Sequence, residues 1–211
     1  MIDILYKDQS VIVCLKRPGE LSQAGKEGEK SLLTELEREV GGTVYPVHRL
    51  DRETGGVMVY ARTKKAAAAL SAAIQEHKLQ KEYVCIVRGA PAEENGDYRD
   101  LLLHDKQRNK TFVVNRMRGG VKEARLSYRV LEKNDVHALI RVALQTGRTH
   151  QIRVQFASRK TPLVGDGKYG GGSGELALWS CALSFPHPDT GEILSFEKMP
   201  KGGVWTEFAP L

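Results

Sequence analysis

The sequence predicts an α+β fold built on a mixed, mostly antiparallel sheet. Three observations point there. Apolar stretches come in pairs around turns instead of alternating strictly with helices. Two turn signals, Asn134-Asp135 and Asp189-Thr190-Gly191, each separate two such stretches. Clear helical character is confined to residues 31–40 and 63–77.

Taken in order, residues 2–16 read as two short strands around a turn at residues 8–10, broken by Pro18 and Gly19. In residues 31–40, Leu32, Leu33, Leu36 and Val40 keep helical spacing, Ser31 suits an N-cap, and Gly41-Gly42 stops the helix. Residues 43–50 and 56–61 look like strands flanking Asp51-Arg52-Glu53-Thr54-Gly55. Residues 63–77 are alanine-rich, lack Gly and Pro, and predict a helix. Residues 82–88 form a strand ended by Gly89 and Pro91, and residues 111–114, 124–131 and 136–144 form three more. Residues 177–185 and 193–196 make a closing hairpin, and the glycine-dense stretch 165–174 reads as a loop.

At 211 residues the chain suits one domain, large enough to bury a core without staples. Its 41% apolar and 27% charged residues exclude a wholly disordered chain. The longest apolar run, residues 66–70, is far short of the ~20 residues of a membrane helix. The first residues have no basic stretch followed by an apolar one, so no signal peptide is expected. Cys14, Cys85 and Cys181 lie far apart, without ligand spacing, which suits buried small residues in a reducing compartment. The net charge of +6 is a weak pointer to an acidic partner.

Several chemistries fail on spacing. Gly165-Asp166-Gly167-Lys168 lacks the upstream glycine and the following hydroxyl of a P-loop, and no HExxH or GxSxG is present. What remains is polar clusters at the ends of apolar stretches. In His48-Arg49-Leu50-Asp51-Arg52-Glu53-Thr54-Gly55-Gly56, a carboxylate between two arginines suits a nucleophile or general base. Alone, the segment reads more readily as an Asx turn with solvated arginines. Gly147-Arg148-Thr149-His150-Gln151-Ile152-Arg153-Val154 gathers guanidiniums, an imidazole and an amide, and its periodicity fits a strand or a helix. Tyr83, at the start of an apolar stretch, could stack on a base or simply fill the core.

Together, His48-Arg49-Leu50-Asp51-x-x-Thr54-x-Gly56, Lys81-x-Tyr83-x-x-x-Val87-x-Gly89, the 147–154 block and Gly165-Asp166-x-x-Tyr169-Gly170 resemble the RluA family of RNA pseudouridine synthases in order and spacing. The resemblance spans about residues 11 to 170. It implies an isomerase that turns uridines of structured rRNA or tRNA into pseudouridine with no cofactor and no metal. It implies a sheet in two lobes flanked by helices, with the active cleft between the lobes. Carried over by position, Asp51 would be the catalytic aspartate and Arg153 would pair with it and hold it ionised. Tyr83 would stack on the target uracil and serve a later proton step. Arg49 would take the place of the nucleotide expelled from the RNA, and Leu50 and Ile152 would be apolar walls. His48, Arg148, His150 and Gln151 would belong to the RNA-binding surface.

The sequence departs from the family pattern at two places. Thr54-Gly55-Gly56 stands where the family has Thr-Ser-Gly, and in Leu15-Lys16-Arg17-Pro18-Gly19 the proline is displaced by one from Asn-Lys-Pro-x-Gly. The expectation is a single catalytic domain over residues 1–211, without a separate N-terminal RNA-binding domain, acting as a cytoplasmic monomer. The alternative is a non-catalytic RNA-binding protein on the same scaffold. A glycoside hydrolase pairing Asp51 with Glu53 is disfavoured, because nothing sets those carboxylates across a substrate.

Overall fold

The computed structural model describes residues 2–26 and 28–208. It divides into two compact units, Met1–Lys81 with Ser180–Met199, and Glu82–Trp179 with Pro200–Leu211.

In the first unit, β1 (Asp3–Lys7) pairs with β2 (Val11–Lys16), and β2 pairs with β4 (Gly55–Ala61), both antiparallel. β10 (Leu178–Pro186) neighbours β4 and forms a hairpin with β11 (Ile193–Glu197). Both faces of β2 and β4 are buried, which is why they read as continuous apolar runs. On one face Val11, Val13, Val57 and Val59 pack with Ala66 and Leu70 of α2 (Lys64–Gln75) and with Leu183 and Phe185 of β10. The helix α1 (Leu32–Val40) buries Leu32 and Leu36. Its Ser31 cap forms a capping box with Thr34, and Gly41 closes it in the left-handed conformation.

One expectation needs correcting here. Residues 43–50 are not a full strand: β3 is only Tyr45–Pro46. Pro46 has no N–H to extend a ladder. Two residues on, His48 Nε2 accepts the N–H of Val59 at 3.1 Å, so a side chain replaces the strand carbonyl that β4 would otherwise meet.

Gly56 sits at φ +125°, and a Cβ there would stand 2.6 Å from Ser180 N and nearer still to its carbonyl. Gly56→Ala is therefore expected to force β4 and β10 apart. A destabilisation of about 3 kcal/mol or more, read from the urea midpoint, is expected. An unchanged midpoint would refute the tight approach.

In the second unit the strand order is β5-β9-β8-β6-β7. The strands are β5 (Gln80–Arg88), β6 (Asn95–Asp105), β7 (Lys110–Val114), β8 (Val121–Lys133) and β9 (His137–Leu144). The pairings of β6 with β7, β6 with β8, and β8 with β9 are all antiparallel, and the hairpin at Asn134-Asp135 is present. The eleven-residue β6 was not expected from the sequence. Asn95, Gly96, Asp97 and Asp100 are poor strand formers, and continuous pairing with β8 overrides that preference.

The 147–154 block resolves as a helix from Gln151 on, α3 (Gln151–Ala157). Residues 151–156 are all buried, so the helix has no polar face for periodicity to reveal. α3 lies on the face of the sheet that carries Tyr98, Asp100 and Leu102. Phe156 packs on Tyr98, Gln155 donates to Asp100, and Val154 clusters with Leu102. A 3₁₀ turn, Gly203–Glu207, is held by Glu207, which accepts from Asn134 and meets His137 Nδ1 at 2.7 Å.

The three cysteines are all buried. Among the described residues, no helix is long and apolar enough to cross a membrane, and no cluster of His, Cys, Asp and Glu could hold a metal ion.

Candidate active site

The Asp51 segment is held from below by the first unit. Lys16 ends an otherwise apolar strand, yet it is completely buried. Its ammonium donates to the carbonyls of Arg17, Arg52 and Thr54 at 3.0, 2.9 and 2.7 Å. Two of those carbonyls, of Arg52 and Thr54, follow Asp51 in the chain, so the lysine fixes the turn on its C-terminal side. Burial pushes the Lys16 pKa down to about 8, which leaves the ammonium largely charged at pH 7.

Ser22 holds the preceding residue. Its hydroxyl accepts the N–H of Leu50 and donates to the Leu50 carbonyl, each at 3.1 Å. Gly19 and Arg52 exchange a backbone bond of 2.8 Å and a side-chain bond of 3.1 Å, while Thr54 N–H donates to the Asp51 carbonyl at 3.1 Å. Asp51 is thus the corner of a turn whose backbone groups are tied down before and after it. Its side chain is half-buried, Leu50 is buried, and Arg49 is exposed.

His48 is neutral by construction. Its Nε2 is committed as an acceptor to Val59, and burial, with the Lys81 charge adding to it, pushes its pKa down to about 3. The unfolded imidazole titrates near 6.5. Between those values the unfolded chain binds a proton that the folded chain refuses. Stability is therefore full above pH 6.5 and falls as pH drops through the window. Urea midpoints at pH 7 and pH 4.5 test this. Wild type is expected to lose about 2 kcal/mol or more relative to His48→Gln, which keeps an acceptor but does not titrate.

In the second unit, Arg153 is the central residue. Its Nε and Nη2 donate to the two oxygens of Asp166 at 2.7 and 2.8 Å, in a two-pronged pair with side chains 6% and 0% exposed. The guanidinium also lies over the Tyr169 ring, 5.3 Å from its centroid. The Tyr169 hydroxyl accepts the N–H of Thr111 at 2.7 Å and meets His150 Nδ1 at 3.0 Å. His150 enters α3 at φ +54°, a left-handed conformation uncommon outside glycine.

Gln151 serves the same corner. Its Oε1 accepts from Arg148 N–H and the Thr146 hydroxyl, and its Nε2 donates to the Arg125 carbonyl. Gln151 therefore sets the bend that leaves Arg148 exposed. Ile152 is buried, and Tyr83, on β5, is only 6% exposed. The loop that supplies Asp166 and Tyr169 is compact. A Cβ on Gly171 would stand 2.8 Å from the Leu163 carbonyl carbon, and one on Gly165 would lie 2.5 Å from that of Glu175.

Asp51, Leu50, Arg49 and His48 are thus brought together in the first unit. Arg153, Ile152, Gln151, His150 and Arg148 are brought together around α3 in the second, where Tyr83 also lies. Sequence reasoning missed three supporting residues: Lys16, Ser22 and, as the partner of Arg153, Asp166. Lys16 left a signal, a charge at the end of the run Val11-Ile12-Val13-Cys14-Leu15, and Asp166 stood in the Gly165-Asp166-x-x-Tyr169-Gly170 block without a role assigned to it.

The architecture is that of a pseudouridylate synthase domain. The human protein RNA Pseudouridylate Synthase Domain Containing 4 superposes with a TM-score of 0.79 at 24% identity, over 94% of this chain and 89% of that one. A family model described as RNA pseudouridylate synthase matches residues 10–158, and the chain belongs to that family, isomerases acting on RNA. It is 33% identical over 214 residues to ribosomal large subunit pseudouridine synthase D of Xanthomonas campestris, covering 90% of this chain and 63% of that protein. It is 32% identical over 219 residues to tRNA pseudouridine synthase C of Vibrio parahaemolyticus, covering 92% and 88%.

Proposed function

We propose that this chain converts uridines of structured rRNA or tRNA to pseudouridine with Asp51 as the catalytic carboxylate. The observation that carries this reading is the family match over residues 10–158, which contains the Asp51 turn, Tyr83 and Arg153. In the reaction the bond from uracil N1 to the ribose breaks, the base turns, and C5 bonds to the ribose and releases its proton. The base has to leave the RNA stack first. Arg49, exposed beside buried Leu50, fills the gap it leaves. Leu50 and Ile152 wall the base, and Tyr83 stacks on it and serves the proton step at C5.

In this reading Arg153 is the cation that holds the Asp51 carboxylate ionised. His48, Gln151 and His150 act by holding the segments that present Asp51, Arg148 and Arg153, and Arg148 itself meets RNA phosphate. Both units act as one catalytic domain, in a cytoplasmic monomer, and the chemistry uses neither cofactor nor metal. The test is release of tritium to water from ribosomal and transfer RNA transcripts labelled at the uridine 5-carbon. Release by wild type and none by Asp51→Ala supports the reading. RNA binding without release by either protein would favour a binder that has lost the chemistry.

A further inference from the structure

The charge of this chain is concentrated. Residues 99–125 hold eight Lys and Arg against three Asp and Glu, so 27 residues carry +5 of the net +6. They form β6, β7, the link between β7 and β8, and the start of β8. Side chains alternate along these strands. Tyr98, Asp100 and Leu102 face α3, so Arg99, Leu101 and Leu103 point to the opposite face.

Arg99 is directly opposite Arg125, and Arg129 is directly opposite Arg141. Like charges in register destabilise an antiparallel pair. Their compensation is incomplete. Arg99 and Arg125 share one carboxylate, Glu123, and Arg141 meets Glu82. Asp97 and Asp105 are the remaining acids of β6 on this face, and Asp105 lies opposite Lys110 and pairs with Arg108. Among the described residues, Arg129 has no ion pair, nor have Arg116 and Arg118 in the β7–β8 link. That link crosses β6 on this same face, where Gly120 approaches Leu103. Between its two arginines Met117 is 61% exposed. A shallow cavity of about 260 Å³ beside Arg129 and Arg141 completes the surface.

We propose that the face of the second unit's sheet opposite α3 is a docking surface for the phosphodiester backbone of duplex RNA, with Arg116, Arg118 and Arg129 as its phosphate contacts. An anionic partner accounts for two opposed arginine pairs that the fold itself does not need. Guanidiniums outnumber rings on this face, where Phe112, opposite Leu103, is the one phenylalanine, tyrosine or tryptophan among the described residues of β6–β9. This suits backbone contact more than base stacking, and A-form duplexes are met chiefly through backbone and shape. Met117 adds an apolar contact against sugar edges. The identity of the partner rests on the RNA-modifying reading above. The surface lies on the other side of the sheet from Arg153, so it would hold a flanking helix of the substrate.

The test compares wild type with Arg116→Gln/Arg118→Gln/Arg129→Gln, after both are shown to melt at the same temperature. Filter binding to a 20-base-pair RNA duplex is measured against salt. The variant is expected to bind at least about tenfold more weakly at low salt, and its log–log salt slope is expected to be shallower by about 2–3. In tritium release from long ribosomal transcripts, KM is expected to rise with kcat unchanged. Equal affinity and slope overturn the surface, even where both proteins release tritium and the activity reading stands. Weakened duplex binding where wild type releases no tritium keeps the surface and sinks the activity reading. Loss of binding to a 12-nucleotide oligouridine, with duplex binding intact, overturns the duplex as partner.

Discussion

Asp51→Asn is expected to abolish tritium release while leaving the protein folded. The substitution keeps the shape of the side chain, and the turn around it is fixed by backbone groups: Lys16 on the carbonyls of Arg52 and Thr54, Ser22 on both backbone groups of Leu50. None of those bonds uses the Asp51 carboxylate, so the turn should keep its shape and the variant should still melt in one cooperative transition. The rate should fall by about 10⁴-fold, the upper range for removal of a catalytic proton-transfer group. Turnover within tenfold of wild type would show that the carboxylate is not the reacting group. A collapse in melting temperature would show that the turn depends on it.

The second large effect is expected at Asp166. Asp166→Leu leaves the Arg153 guanidinium buried without the two-pronged partner it now has. Breaking a buried pair on one side costs about 3–5 kcal/mol. The double variant Arg153→Leu/Asp166→Leu removes both charges together. It should recover most of that stability, because an apolar pair is well tolerated where a lone charge is not. Activity separates the two roles. Neither variant should release tritium, since the first leaves Arg153 loose and the second deletes it. Recovered turnover in the double variant would mean that Arg153 serves the fold alone.

The sequence carried most of the fold because most elements obey local rules. The paired strands β1 and β2, the capped helices and both hairpins were legible from apolar runs bounded by turn residues. The misses have physical causes. β6 is a strand by virtue of its neighbours. β3 is cut short by Pro46, and a histidine ring takes over its last pairing. α3 hides its period because both of its sides are covered.

The site divides the same way. Asp51 and its flanks stood out as charge crowded at a turn, but composition alone could not separate a reactive carboxylate from an ordinary turn. The spacing of three distant blocks did that. What could not be read was support: Ser22 is an unremarkable serine, and Asp166, thirteen residues from Arg153, becomes its partner only through the tight glycine loop between Gly165 and Gly171.

The first unit is discontinuous in the chain: its last two strands come from Ser180–Met199, after the whole intervening stretch of the second unit. During synthesis, the apolar face of Val57 and Val59 emerges long before Leu183 and Phe185 can cover it, and the edge of β4 waits for β10. At ~5–20 residues per second the interval is roughly 6–25 s. Through that time the nascent chain shows a bare strand edge beside an uncovered valine face, a combination prone to pairing with other chains. The cell's chaperones, or a slow growth temperature in a recombinant host, would matter more for the yield of this protein than its final stability suggests.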